Sequence, residues 1–99
     1  MNEKSADSAV PFAVAQAALL NYDMRITGYL HRAQVEVFSL VGRVYFDDKE
    51  RFENGLLIRT SNVREFVERQ QYVIALTHAG SAYVLVEPYD GLRLPSELH

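Results

Sequence analysis

Short runs of alternating apolar and polar residues fill the second half of the chain, and this alternation is typical of β-strands. The clearest runs are residues 52–63, 72–77 and 81–87. They are separated by Asn54-Gly55 and by residues 78–80, both of which are typical turn sequences. The pattern predicts an antiparallel meander, in which the last two runs form a central hairpin because both of their faces are apolar.

The first half continues the two-residue period. Residues 24–30 predict a half-buried strand with Gly28 as a bulge. Residues 35–46 predict either two strands hinged at Gly42 or one long bent strand, apolar on both faces. Such strands must be covered on both sides, by a helix, by curling of the sheet or by another subunit. Residues 63–68 fit a helix or a strand, and their β-branched residues and short flanking connections favour a strand.

A short helix is predicted between Pro11 and Asn21, because strong helix formers follow a proline that suits a first turn. Its predicted buried stripe contains Phe12, Ala15, Ala18 and Leu19. We expect the helix to cover the sheet as a lid. The predicted fold is α+β and mainly antiparallel β, with the N-terminal helix on a bent five- to six-stranded meander or small barrel. A single domain over residues 10–99 would follow a flexible tail at residues 1–9.

The composition excludes several classes of protein. The 99 residues contain no cysteine, so disulfides, thiolate metal sites and thiol nucleophiles are absent. The formal charge of −3 and the scattered arginines disfavour a nucleic-acid-binding face. Since no apolar run approaches the ~20 residues of a membrane span and the N-terminal charges are mixed, we predict a cytoplasmic protein that does not contact membranes.

Candidate catalytic groups are sparse. His31, His78 and His99 are far apart in sequence, and His78 beside Thr77 is typical of a polar hairpin loop. The sequence contains no phosphate-binding glycine loop and no nucleophile elbow. We therefore predict that the chain is not an enzyme and uses no metal, cofactor or small-molecule substrate.

One acidic turn and several tyrosines remain as candidate binding residues. The turn between residues 47 and 53 lacks the ligand order of a calcium loop, and its interleaved Lys49 and Arg51 indicate a solvated turn. Tyrosine is enriched in protein interfaces, although paired tyrosines also simply pack across strands. The residues predicted to bind a partner are Tyr29, Tyr45, Asp47, Asp48, Glu50 and Glu53.

Three segments carry a resemblance to a known group. They are the Arg51-Phe52-Glu53-Asn54-Gly55 segment, the strand Ile58-Arg59-Thr60-Ser61-Asn62-Val63, and the hairpin running from Thr77 through Gly80-Ser81 and Tyr83 to Leu85. This pattern resembles small uncharacterised β-rich proteins of bacterial phages and plasmids. The resemblance covers about a third of the chain, implies no catalytic residue, and suggests a mobile element as the setting.

We therefore expect a non-catalytic protein-binding domain that docks on a host complex, such as a CRISPR effector, and inhibits or regulates it. The acidic turn would compete for a basic surface of that complex. Two alternatives stay open. One is a homodimeric assembly module in which strands 35–46 bury against a second copy. The other is a small nucleic-acid-binding β-barrel that uses arginines and tyrosines.

Overall fold

The computed structural model describes residues 9–89, and these form one short helix and a six-stranded sheet. Residues 1–8, which make up most of the predicted tail, and residues 90–99 lie outside the described part. The elements are α1 Phe12–Ala17, β1 Gly28–Glu36, β2 Ser39–Tyr45, β3 Leu56–Arg59, β4 Val63–Arg69, β5 Tyr72–Thr77 and β6 Ala82–Val86. The prediction of an N-terminal helix and of five or six strands is confirmed, and the helix is very short.

The sheet is mixed, with the strand order β3-β2-β1-β6-β5-β4. Strands β1–β3 form one antiparallel meander and β4–β6 form another. The two meanders join through β1 and β6, which run parallel. The predicted single antiparallel meander is therefore wrong at the centre of the sheet. The chain leaves the first meander at one edge and enters the second at the opposite edge, so β6 arrives beside β1 in the same direction.

The short connection from β3 to β4 forces the sheet to curl. In a flat sheet these edge strands would lie about 24 Å apart, at about 4.8 Å per strand. The four residue steps of backbone from Arg59 to Val63 span at most about 14 Å when fully extended. The Val63 N–H accordingly donates to the Phe38 carbonyl at 2.7 Å, which holds the start of β4 against the β1–β2 turn at the far side of the sheet order. No ladder joins β3 to β4 within residues 9–89, so the predicted small barrel is not closed.

Each face of the curled sheet has its own core. The outer core comprises Val14, Ala17, Tyr22, Tyr45, Ile74, Ala82, Val84 and Val86, and α1 packs on it. The inner core comprises Leu30, Ala33, Leu40, Val44, Ile58, Ala75, Tyr83 and Leu85. Ile58 of edge strand β3 and Phe66 of edge strand β4 both contact the inner core, which shows that the sheet wraps around it. The apolar faces of the central strands are thus largely covered within one chain.

Helix α1 buries a different stripe from the predicted one. Val14 and Ala17 are buried, whereas Phe12 and Leu19 are exposed. The helix has only six residues, so its spacing alone did not define one face. The Tyr22 hydroxyl donates to the Ala17 carbonyl at 2.7 Å and fixes the end of the helix on the outer core. Burial, together with the nearby Tyr29 and Tyr72, raises the pKa of Tyr22 to about 12.

The first hairpin also differs from the prediction. Strand β1 begins at Gly28 and continues to Glu36, and the chain turns at Val37-Phe38, inside the predicted strand of residues 35–46. The bulge lies between His31 and Gln34 rather than at Gly28. Gly42 is not a hinge. A Cβ at Gly42 would lie 3.1 Å from the Ala33 Cα, so glycine permits a close approach of β2 to the bulge.

The second meander follows the prediction closely. Residues 63–69 form strand β4, which confirms the preference for a strand in this segment. Strand β5 spans the predicted residues, and β6 lies within the predicted 81–87. Within the described part of the chain, no helix is long and apolar enough to cross a membrane.

Candidate protein-binding surface

Asp47 organises the acidic loop, which we define as residues 46–55. Its side chain has no exposed area. It accepts hydrogen bonds from the backbone N–H groups of Arg51 at 2.6 Å and of Phe52 at 3.1 Å. The Arg51 guanidinium contacts the same carboxylate at 3.3 Å and also donates to the Tyr83 hydroxyl at 3.2 Å. The carboxylate therefore holds the loop against the inner core.

The protonation of Asp47 depends on this environment. Burial alone would raise the pKa of the carboxyl group. The side-chain and backbone hydrogen bonds from Arg51, and the backbone hydrogen bond from Phe52, outweigh burial and lower that pKa below its usual value. Asp47 therefore stays ionised, and its charge is matched inside the loop.

The other carboxylates of the acidic loop lie at the surface. Asp48 Oδ2 pairs with the Arg25 guanidinium at 2.7 Å, and its backbone N–H donates to the Thr27 carbonyl. Glu50 and Glu53 are exposed. Of the four predicted acidic residues, Glu50 and Glu53 thus carry charge at the surface without a described ion pair among residues 9–89.

The two predicted tyrosines are directly opposite each other on β1 and β2. Tyr45 is only 7% exposed, and its ring packs edge-on against His31 at 6.4 Å between centroids. Tyr29 is half-buried and packs edge-on against Phe46 at 6.1 Å. Burial also raises the pKa of Tyr29. Both tyrosines take part in cross-strand packing, and they offer little free surface.

A second surface presents apolar side chains instead of charges. We call it the Phe38 groove. It is a cavity of about 450 Å³ between the β1–β2 turn and the start of β4. Val37 is 81% exposed and Phe38 is 69% exposed at its rim. The lining residues are Val35, Val37, Phe38, Ser39, Leu40, Val63, Arg64, Glu65 and Phe66.

The turn at the rim of the Phe38 groove is strained. Val37 has φ of 61°, which is rare for a β-branched residue. It occupies the first central position of a two-residue hairpin turn, where positive φ normally requires glycine. A residue held in this region costs on the order of 1–3 kcal/mol, and such strain is concentrated at functional sites.

The polar groups of the Phe38 groove are already paired. Arg64 Nη1 contacts Glu65 Oε1 at 2.9 Å. The Ser39 hydroxyl donates to the Glu36 carbonyl at 3.0 Å. The groove therefore offers apolar contacts and little net charge.

A more polar cavity of about 350 Å³ lies on the outer face of β1–β3, beside Tyr89. Its charged groups are engaged locally. His31 Nε2 lies 2.7 Å from Glu87 Oε1, the Arg43 guanidinium donates to the Gly55 carbonyl, and Arg32 stacks on the Tyr89 ring. No group of three or more His, Asp or Glu side chains that could hold a metal ion occurs between residues 9 and 89.

Sequence reasoning missed the Phe38 groove. Val37 and Phe38 are strand-forming residues, so nothing in their composition marked a turn. The available signal was the loss of alternation, since two large apolar residues are adjacent between polar Glu36 and Ser39. Phe66 on β4 becomes a neighbour of Phe38 only through the curl of the sheet.

Comparisons with known proteins add no identification, because no family model, no curated protein and no solved structure matches the chain.

Proposed function

We propose that this chain is a non-catalytic protein-interaction domain that engages protein through the Phe38 groove. The observation that carries the proposal is the exposure of Val37 and Phe38 on a strained turn beside an apolar cavity. Both features cost stability in an isolated domain, and contiguous exposed apolar surface is typical of interaction sites.

The chemistry of the Phe38 groove favours an apolar protein segment as its occupant. A nucleic-acid backbone would need unpaired cations, whereas Arg64 is matched by Glu65. A small-molecule site would add a few polar groups that fix the orientation of the ligand. Ser39 and the Arg64–Glu65 pair are satisfied within the chain, so apolar side chains are the complementary surface.

The expected setting, docking on a host complex with an inhibitory or regulatory effect, remains a proposal that rests on the phage and plasmid resemblance. Its predicted surface, the acidic loop, retains Asp48, Glu50 and Glu53 as exposed carboxylates. A test of the proposal must therefore compare the Phe38 groove with the acidic loop.

The test uses affinity capture from a nuclease-treated bacterial lysate together with light scattering on the tagged protein. Three forms are compared: the wild type, the groove variant Val37→Ser/Phe38→Ser, and the loop variant Asp48→Ser/Glu50→Ser/Glu53→Ser. Because all five positions are exposed, we expect each variant to fold, as checked by circular dichroism. We expect the groove variant alone to lose protein association, whether with itself or with a captured protein. Association that survives in the groove variant would overturn the proposal.

A further inference from the structure

The outer edge of β4 borders the Phe38 groove and, beyond the Val63 N–H that donates to the Phe38 carbonyl, has no partner strand among residues 9–89. β4 is the last strand in the sheet order, and no pairing described for residues 9–89 uses its outer side. An edge of this kind is a template for another strand. The register of the β4–β5 hairpin determines which N–H and C=O groups of β4 point to this outer edge.

Gln70 and Gln71 form a two-residue turn with φ of 53° and 68°, so the flanking Arg69 and Tyr72 form a hydrogen-bonded pair. Hydrogen-bonded and non-hydrogen-bonded pairs alternate along an antiparallel ladder. The N–H and C=O groups of Phe66 and Glu68 therefore point away from β5. The Arg69 guanidinium donates to the Glu68 carbonyl at 3.1 Å, which agrees with that orientation.

Charges on β4 are complementary about Phe66. Arg64 lies two residues before Phe66, and Glu68 lies two residues after it. Both side chains are exposed. When two copies of β4 pair antiparallel about a two-fold axis at Phe66, each Arg64 lies opposite Glu68 of the other copy. Opposite charges at directly opposed positions stabilise a strand pair, and like charges destabilise it.

We propose that the occupant of the Phe38 groove is a second copy of this chain, paired through β4 about a two-fold axis at Phe66. This inference rests on the proposed function and names the protein that fills the groove. The two Phe66 side chains would be adjacent, and the end of each β4 would cover Val37 and Phe38 of the other copy. An axis at Arg64 or at Glu68 would oppose like charges. An axis at Val67 would pair Glu65 with Arg69, but it would separate the two Phe66 side chains and place each of them opposite the charged Glu68.

The paired stretch is short. A bulge between Val63 and Glu65 interrupts the regular ladder, and the Phe38 carbonyl already accepts from Val63. A stable interface typically buries about 800 Å² per partner, which is more than one short strand provides. We therefore expect a reversible dimer that forms at micromolar concentrations rather than an obligate one.

Charge reversal provides the test, measured by sedimentation equilibrium from about 5 to about 500 μM, a range that covers weak interfaces. The wild type should move from monomer mass toward twice that mass. Arg64→Glu and Glu68→Arg each place like charges opposite one another at two positions, so each should weaken the dimer more than about tenfold. The double variant Arg64→Glu/Glu68→Arg restores opposite charges and should dimerise as the wild type does. Glu53→Arg, on the acidic loop, is the matched control and should leave dimerisation unchanged.

A wild type that stays monomeric throughout, or a double variant that is not rescued, overturns the self-pairing. Circular dichroism on each variant separates loss of pairing from loss of folding. The proposed function fails independently of the dimer. If the wild type is monomeric while Val37→Ser/Phe38→Ser abolishes capture of another protein, the groove binds protein but its occupant is not a second copy of this chain. If neither dimerisation nor capture of another protein depends on Val37 and Phe38, the proposed function is wrong as well.

Discussion

The acidic loop and the Phe38 groove differ in the burial and pairing of their most prominent side chains. In the loop, Asp47 is buried and matched by Arg51, and Asp48 is paired with Arg25. At the groove, Val37 and Phe38 extend into solvent on a strained turn. The side chains of Asp47 and Asp48 stabilise the loop and its attachment to the sheet, whereas Val37 and Phe38 stay largely exposed in the described part of the chain. In this chain the cluster of charges predicted from the sequence stabilises its own loop, and the large exposed apolar residues lie elsewhere.

The largest effect that separates the two regions should come from Asp47→Ala. The substitution leaves the N–H groups of Arg51 and Phe52 without their acceptor and removes the partner of the Arg51 guanidinium. We expect a loss of about 3 kcal/mol in the free energy of unfolding. Thermal melting followed by circular dichroism should show the midpoint falling by about 12 °C or more.

Glu53→Ala is the matched control, because Glu53 lies on the same loop and is exposed; it should change stability by less than about 0.5 kcal/mol. An Asp47→Ala protein as stable as this control would contradict the structural role of the loop.

Acidification checks the same interaction. The pKa of Asp47 is lowered in the folded state, so its contribution is complete above the unfolded value of about 3.9 and is lost as the pH falls through the lower folded value. The stability difference between the wild type and Asp47→Asn should therefore shrink below about pH 4, measured by urea unfolding. A difference that stays constant from pH 7 to about pH 2 would show that the charge of Asp47 is not what stabilises the loop.

A smaller effect of opposite sign is expected at the groove. Val37→Gly relieves the positive φ at an exposed position, and the gain of about 1–3 kcal/mol is partly offset by the greater backbone entropy of glycine. We expect a net stabilisation of about 1 kcal/mol, or about 5 °C in the melting midpoint. The same variant should bind its protein partner more weakly, because the Val37 side chain is lost from the rim of the Phe38 groove.

Val37→Asn is a second variant for this position, since asparagine tolerates positive φ better than valine. If both variants are less stable than the wild type, Val37 is not strained in the native protein.

The smallest effect is expected for the Arg25–Asp48 pair. Arg25 is 82% exposed on its side chain, and exposed pairs are screened by solvent and salt. A double-mutant cycle with Arg25→Ala and Asp48→Ala should give a coupling energy of about 0.5 kcal/mol or less, vanishing in high salt. A coupling above about 1 kcal/mol would mean that the surface charges of the loop also support the fold.

The parts of the fold that were predicted are those encoded locally. Strands β5 and β6 show alternation on both sides of a turn that contains Gly80, so their bounds followed from the sequence. The parallel pairing of β1 with β6 depends on residues more than fifty positions apart, and no local pattern carries it. The buried face of α1 is set by its fit to β6, which a six-residue pattern cannot specify.

The candidate site was predicted less well for the same reason. The sequence places Asp47 in an acidic turn, but the N–H groups that draw its carboxylate inward become available only when the loop closes. Phe38 and Phe66 are separated in sequence by β2, β3 and the connections that follow them, and the curl of the sheet brings both to the same cavity. The role of the predicted residues in binding a partner stays a prediction.

The parallel pairing of β1 with β6 also determines when the domain can assemble during synthesis. The first meander is complete once β3 has emerged from the ribosome, but β1 keeps an unpaired edge until residues 82–86 appear. Contacts of such sequence separation slow folding toward the millisecond-to-second range. A nascent chain in that interval exposes a strand edge beside an unfinished inner core, and it is open to wrong pairing with a neighbouring chain. The pairing that unites the two meanders therefore cannot form until β6, the last strand, has been synthesised.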